Sequence, residues 1–353
     1  MPVNERQEKG HPLGIHRVKD DKPRLPQAAL SLDNSLPIFS NEVLVRVEKL
    51  NIDAASFVQM EKETRGELNK IAEMVLENCR LRGKQQNQVT GSGGMLMGEV
   101  VQVGSEYRGP IPFKKGLRIA TLVSLSLTPL VLEKVLRVDK KTHQMDVEGW
   151  AILFERTIAA ELPRELPEAV SLAVYDVAGA PATVDGIAKA KQTVVVIGAG
   201  GKAGILCCVA ARRKVGKLGK VIAIEPFGAA AKDLRELGVC DEVLEIDATN
   251  PIAVQSGVGA ATRGKMANVV INVASVPDTE VSALLSVRSK GKVIFFSMAT
   301  LFTRVALGAE GIVSDATLIF GNGYYPNHSK FSIDLLRRNK KLKALFLSRY
   351  ASL

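Results

Sequence analysis

TVVVIGAGGKAG, residues 193–204, decides how the rest of the chain is read. The β-branched run from Thr193 to Ile197 has the composition of a buried parallel strand. It passes into Gly198-Ala199-Gly200-Gly201-Lys202-Ala203-Gly204 and then into the helix-period segment AGILCCVAARRKVG. This is the GxGxxG/A spacing between a strand and a helix that suits a dinucleotide. Gly198 permits the tight turn, Gly200 lets the backbone approach a pyrophosphate, and Ala203 keeps the helix close to the sheet. The N–H groups opening the helix, at Gly201 and Lys202, are then the phosphate donors. A turn that only packed a helix on a sheet would use similar glycines, so the surrounding pattern has to carry the assignment.

That pattern is a repeating α/β series. KVIAIE (220–225), EVLEI (242–246), NVVINV (268–273), KVIFF (292–296) and TLIF (317–320) follow as strand candidates, mostly separated by helical spacers. The expected fold is α/β, a Rossmann-type doubly wound parallel sheet. Glu225 closes the second strand, where a carboxylate accepts from the adenosine ribose hydroxyls and repels a 2′-phosphate. No arginine stands immediately beside it, so NAD is expected over NADP. The competing reading makes Glu225 a solvated strand end.

The preceding half reads as β-rich. EVLVRVEKL (42–50), GEVVQVG (98–104), LRIATLVSL (117–125) and LVLEKVLRV (130–138) are strand candidates between Gly and Pro turns, and 61–83 reads as one helix. The expected domains are 1–165, rejoined by 322–353, and a nucleotide domain over 166–321.

Composition narrows the classes. Four cysteines without a CxxC pair give neither a disulfide framework nor a zinc knuckle. The first residues lack the apolar core of a signal peptide and no run of 18 apolar residues occurs, so a cytoplasmic protein without a membrane partner is expected. The net charge of +10 raises nucleic acid as a partner. Its densest stretch, however, lies in FSIDLLRRNKKLKALF, where Ile333, Leu336 and Leu342 share one helical face and the charges form the wet side. No nucleic-acid partner is therefore expected.

NEVLVRVEKLNIDAASF, GEVVQVGSEYRGPIPFKKGLRIATL and the GAGGKAG turn, in that order, resemble the medium-chain dehydrogenase/reductase superfamily, which joins a GroES-like catalytic domain to a Rossmann domain. Where zinc members carry Gly-His-Glu, this chain has Gly93-Gly94-Met95, and NIDAAS supplies no cysteine ligand, so no zinc or other metal is expected. NIDAASFVQME, RGKQQNQVTGSGGMLMGEV and GNGYYPNHSKF, with GIHRV and LPQAAL, are similar to the zinc-independent L-erythro-3,5-diaminohexanoate dehydrogenase family. That resemblance implies oxidative deamination of a 3,5-diamino acid at C3 with a nicotinamide cofactor, giving 5-amino-3-oxohexanoate and ammonia. It also implies a homodimer through the edge of the nucleotide-domain sheet.

Near the family's cleft, Asp53, Glu61 and Glu63 are candidates for the base or for an ammonium partner. Glu61 and Glu63 fit a helix N-terminus equally well. Asn51 and Ser56 are candidates for hydrogen bonds to substrate, or for a turn and cap. Thr90, Ser92 and Gly93 belong to a glycine-rich loop that would hold the substrate carboxylate in a nest of N–H groups, or would simply turn the chain. Tyr324 and His328 are substrate-side candidates, His328 as a proton carrier or as an incidental loop residue. Ala274, Ser297 and Met298 are cofactor candidates by analogy with the family. Three other readings stay open: a zinc-free NADPH-dependent quinone or enoyl reductase, a non-catalytic nucleotide-binding protein, and a nucleic-acid binder.

Overall fold

The computed structural model describes residues 5–321 and 323–351. They divide into two units, one running to Asp176 and taking in the chain from Tyr350, the other covering Val177–Arg349.

The first unit is built on a six-stranded sheet of order β4-β5-β1-β2-β3-β6. Its strands are β1 (Val43–Asn51), β2 (Met95–Val103), β3 (Arg118–Thr121), β4 (Leu130–Asp139), β5 (Gln144–Leu153) and β6 (Ala159–Glu161), paired antiparallel throughout. Alternation explains β1: Val43, Val45 and Val47 are buried against Leu96, Val100 and Met145, while Arg46 between them is exposed. Strand β5 was not anticipated, and the 117–125 stretch keeps only four residues as strand before a 3-10 turn at Leu125–Leu127.

The expected single helix over 61–83 is instead two, α1 (Ala54–Glu63) and α2 (Leu68–Arg82). Arg65 at φ 55° and Gly66 at φ 82° are left-handed, which ends the helical hydrogen-bond ladder. Glu61 and Glu63 therefore lie in the last turn of α1, where the dipole disfavours a carboxylate, and not at a helix N-terminus. A short helix, α3 (Glu168–Tyr175), completes the unit's elements.

The second unit is the parallel sheet the sequence predicts. Strands β7 (Thr193–Ile197), β8 (Lys220–Ile224), β9 (Glu242–Leu244), β10 (Ala267–Asn272), β11 (Val287–Phe295) and β12 (Thr317–Phe320) lie in the order β12-β11-β10-β7-β8-β9. The chain winds outward from β7 through β8 to β9 and then crosses back to β10 on the other side of β7, so the carboxyl ends of β7 and β10 form the crevice where such sheets take ligands. Helices α4 (Gly179–Ile187), α5 (Lys202–Val215), α6 (Gly228–Leu237), α7 (Pro251–Thr262), α8 (Glu280–Ser286) and α9 (Phe302–Gly311) accompany the strands.

Two further helices, α10 (His328–Arg338) and α11 (Lys340–Tyr350), correct the domain expectation. The chain from 323 to 349 belongs with the second unit and does not return to the first. Helix α10 packs on α4 and α5, burying Ile333, Leu335 and Leu336, and Ser332 Oγ donates to Ala178 O at 3.1 Å. The apolar face foreseen over 331–346 is real, with Leu342 also buried, but extended backbone at Asn339 breaks it into two helices. Asn322, where the expected boundary falls, lies outside the described residues. Among the described residues no helix is long and apolar enough to cross a membrane.

Candidate active site

Each unit gathers one group of the candidate residues. In the first unit the group forms where β1 runs into α1. Asn51, the last residue of β1, is fully buried, and its Oδ1 accepts from Gln144 Nε2 at 3.2 Å. Gln144 Nε2 also donates to Ala169 O at 3.1 Å, which leaves Gln144 Oε1 and Asn51 Nδ2 buried without partners among the described residues. Asp53 caps α1: its Oδ1 accepts from Ser56 N at 3.0 Å, while its Oδ2 is buried with no partner among the described residues. The cap reading of Asp53 is thus satisfied by one oxygen, and the other stays available. Ser56, also buried, meets Thr90 hydroxyl to hydroxyl at 2.6 Å, tying α1 to the glycine-rich loop.

The two other carboxylates do not join this group. Glu61 forms an ion pair with Lys140, and Glu63 accepts from Gln59 Nε2 at 2.7 Å on an exposed face. The acidity of the 51–63 segment is therefore partly surface chemistry.

The glycine-rich loop is not an anion nest. Asn87 Oδ1 takes the N–H groups of Val89 (2.8 Å) and Thr90 (3.0 Å), and Asn87 O takes that of Gly91 (2.9 Å). Ser92 N donates to Thr90 Oγ1 at 3.2 Å and Gly93 N to Ser124 Oγ at 3.0 Å. Every backbone N–H from 89 to 93 is committed to the loop's own turn or to the Ser124 segment. The glycines serve close packing of chain on chain: a Cβ on Gly93 would lie 2.2 Å from Gln85 O, and one on Gly94 would lie 2.2 Å from Asn51 O.

In the second unit the turn after β7 has the geometry of a dinucleotide cradle. Gly198 has φ +76°, and a Cβ there would stand 2.7 Å from the backbone of Ala274, which follows β10. The close helix-to-strand approach falls to Gly204, whose Cβ would sit 2.2 Å from Gly198 O, and not to Ala203 as the sequence suggested. Gly201 is exposed, and Lys202 and Ala203 are half-buried, so the opening of α5 is at the surface with its first-turn N–H groups lacking intrahelical partners. Glu225 is buried rather than a solvated strand end: Oε2 accepts from Gly200 N at 2.8 Å and Oε1 from Phe227 N at 3.2 Å. Each oxygen keeps a lone pair, so acceptance from ribose hydroxyls is still open.

Ser297 and Met298 follow β11, the first accepting from Ala299 N at 3.1 Å and the second exposed. Tyr324 and His328 lie in the second unit, edge to face at 5.5 Å. His328 is buried with Nδ1 2.7 Å from Tyr325 O, and burial pushes its pKa below the ordinary value despite that hydrogen bond.

Residues 16–163 match the family model of the L-erythro-3,5-diaminohexanoate dehydrogenase N-terminal domain. The chain is 42% identical over 342 residues to L-erythro-3,5-diaminohexanoate dehydrogenase of Acetoanaerobium sticklandii, covering 97% of this chain and 99% of that one. It is 43% identical to the enzyme of the same name from Fusobacterium nucleatum, covering 96% and 98%. The chain belongs to the L-erythro-3,5-diaminohexanoate dehydrogenase family. Among solved structures, an alcohol dehydrogenase of Thermotoga maritima superposes with a TM-score of 0.53 at 16% identity, over 93% of this chain and 89% of that one, a likeness of fold alone. The fold is accordingly a GroES-like β-rich domain plus a Rossmann domain.

Several other buried polar residues of this chain carry weaker signals in the sequence. Gln144 pairs with Asn51 across the β1–β5 ladder, a register no local pattern could reveal. Gln85 is fully buried with both side-chain atoms unpartnered among the described residues. Lys84, also fully buried, donates to Pro26 O (2.9 Å) and Gln27 O (3.2 Å), and burial, helped by Arg82, lowers its pKa to about 8. Both stand in the RGKQQNQ stretch, where a lysine followed by amides ahead of a glycine loop was the available signal. Among the described residues no three His, Cys, Asp or Glu side chains are grouped to hold a metal ion.

Proposed function

We propose that the protein oxidatively deaminates L-erythro-3,5-diaminohexanoate at C3, giving 5-amino-3-oxohexanoate and ammonia. The observation that carries this reading is identity above 40% over nearly the whole chain with two dehydrogenases of that name. The dehydrogenase family and the glycine-rich cradle with its buried carboxylate support a nicotinamide dinucleotide, held at Gly198, Gly200, Gly201, Lys202, Ala203 and Glu225, with Ala274, Ser297 and Met298 beyond the neighbouring strand ends. When bound, it supplies the hydride acceptor. Glu225 favours NAD over NADP, because its buried carboxylate suits ribose hydroxyls and repels a 2′-phosphate.

The chain's own residues must do the rest. Hydride leaves C3 only when the attached nitrogen is a neutral amine, so a base has to take a proton from the ammonium. Asp53 is our candidate for that base, a reading supported by its Oδ2, which is buried and has no partner among the described residues. Loss of hydride from the amine carbon leaves an iminium ion, which water converts to ketone and ammonia. The nitrogen lone pair stabilises that cation, and Gly93-Gly94-Met95 supplies no imidazole, so the reaction is read as metal-free. Ser56 and Thr90, joined hydroxyl to hydroxyl, and Ser92, whose N–H donates to Thr90 Oγ1, are the hydroxyl candidates for substrate, while Tyr324 and His328 stay secondary candidates on the other unit. A cytoplasmic homodimer completes the reading. Three buried free cysteines and the open edge strand β12, with Phe302 and Phe320 exposed near it, support it.

Absorbance at 340 nm, followed after mixing chelator-treated protein with the diamino acid and NAD or NADP, is expected to rise with NAD. A rise with NADP only would overturn the role of Glu225. No rise with either, while reduced cofactor still binds, would overturn the substrate and leave a reductase or nucleotide sensor.

A further inference from the structure

We propose that Arg349, near the end of the chain, is a positioning residue for the glycine-rich turn and sets the affinity for the dinucleotide's diphosphate. The inference rests on the nucleotide reading above and adds a residue to it.

The peptide joining Gly200 to Gly201 is flanked by two residues without Cβ atoms, which makes it the easiest in the turn to rotate. Its orientation matters, because a trans peptide points its carbonyl and its N–H in opposite directions. A carbonyl turned into the cradle would set a partial negative charge against two phosphates. Three contacts from distant parts of the second unit fix Gly200. Glu225 Oε2 accepts from Gly200 N at 2.8 Å, and a Cβ on Gly200 would come within 2.6 Å of Ala230 Cβ, so α6 closes one side. On the other side, Arg349 Nη1 donates to Gly200 O at 2.6 Å. With the carbonyl held there, the Gly201 N–H turns back into the turn, 3.4 Å from Gly198 O.

Arg349 is itself aimed. Its Nε donates to Asp233 Oδ2 at 3.1 Å, Nη2 binds the same oxygen, and Asp233 stands on α6 one turn beyond Ala230. One guanidinium therefore joins α11, α6 and the turn, a fork that a lysine's single ammonium cannot reproduce. The carbonyl that would repel phosphate is occupied by a cation's N–H, which strengthens the hydrogen bond.

The test is fluorescence titration of the full-length protein with NADH, and calorimetric titration with ADP-ribose, alongside thermal melting. Arg349→Met is expected to weaken both ligands about tenfold, and Arg349→Lys about threefold, since the diphosphate is common to both. Unchanged affinity in Arg349→Met, with or without a lower melting temperature, overturns the proposal and leaves Arg349 as a tie for α11. Should Arg349→Met fail to fold, the lysine variant decides, wild-type affinity again overturning the role. A wild-type protein that binds neither ligand removes the nucleotide reading itself, and this inference with it.

Discussion

Asp53 does two things with two oxygens. One caps α1 through Ser56 N, and the other is buried with no partner among the described residues. Asn and Asp cap helices about equally well, so Asp53→Asn keeps the helix end while removing the charge. Its kcat is expected to fall about a hundredfold, the low end of what a general base contributes, with the melting temperature unchanged. Wild-type turnover in Asp53→Asn would reduce the residue to a cap. Glu61 and Glu63, candidates alongside Asp53 in the sequence, separate from it because α1 turns them towards Lys140 and Gln59. The type of residue was legible at these positions; its direction was not, since direction follows from where the helix starts and from the strand it follows.

At the scale of elements, the loop from 87 to 94 is held from within by Asn87 and from outside by Ser124. Its glycines are unequal. Gly91 has open space around it but φ +73°, whereas Gly93 is pressed against Gln85 O and Ser126 N. Gly91→Ala is expected to cost about 1 kcal/mol for the left-handed backbone. Gly93→Ala is expected to cost about 2 to 3 kcal/mol, because backbone must move to admit the methyl. Urea unfolding of the two variants checks the order, and a smaller loss for Gly93→Ala would mean that the loop gives way easily. The same contrast explains the sequence reading of this loop. Glycine content announced close approach, but whether a ligand or the protein's own chain approaches depends on distant partners such as Ser124, 31 residues from Gly93.

At the scale of the whole molecule, the N-terminal segment is joined to β1 by a buried ionic cluster. Arg17, fully buried, donates Nε and Nη2 to the two oxygens of Glu42 at 2.7 and 2.6 Å, and His16 Nε2 lies 2.8 Å from Oε1. Burial alone would raise the Glu42 carboxyl, but hydrogen bonds from His16 and Arg17, the Arg17 charge and the Phe39 N–H hold it below the ordinary value. A depressed carboxylate contributes stability in full above its unfolded pKa of about 4.5 and loses it as the pH falls through the lower folded value. Glu42→Gln is expected to cost about 3 kcal/mol at pH 7, since buried Arg17 loses its bidentate partner and keeps only Asp33, 3.7 Å from its Nη1, as a countercharge, and to flatten the loss below pH 4.5. Urea unfolding from pH 7 to 3 reads both, and an unchanged acid limb would place the acid sensitivity elsewhere. Light scattering in solution tests the dimer, a monomer mass counting against the β12 edge as an interface. By itself the sequence determined what is written in local periodicity: all six parallel strands, the GxGxxG turn with Glu225 at the next strand end, the β-rich character of the first half, and the apolar face that seats α10. Only the tertiary structure decided that residues 323–349 join the second unit, that Gln144 lies against Asn51, that the loop's N–H groups are already taken, and that Arg349 reaches Gly200 across 149 residues. The physical reason is that strands and helices are selected by neighbours a few positions apart, whereas hydrogen-bond partners of buried polar groups are chosen by whichever distant segment the packing of apolar faces brings within 3 Å.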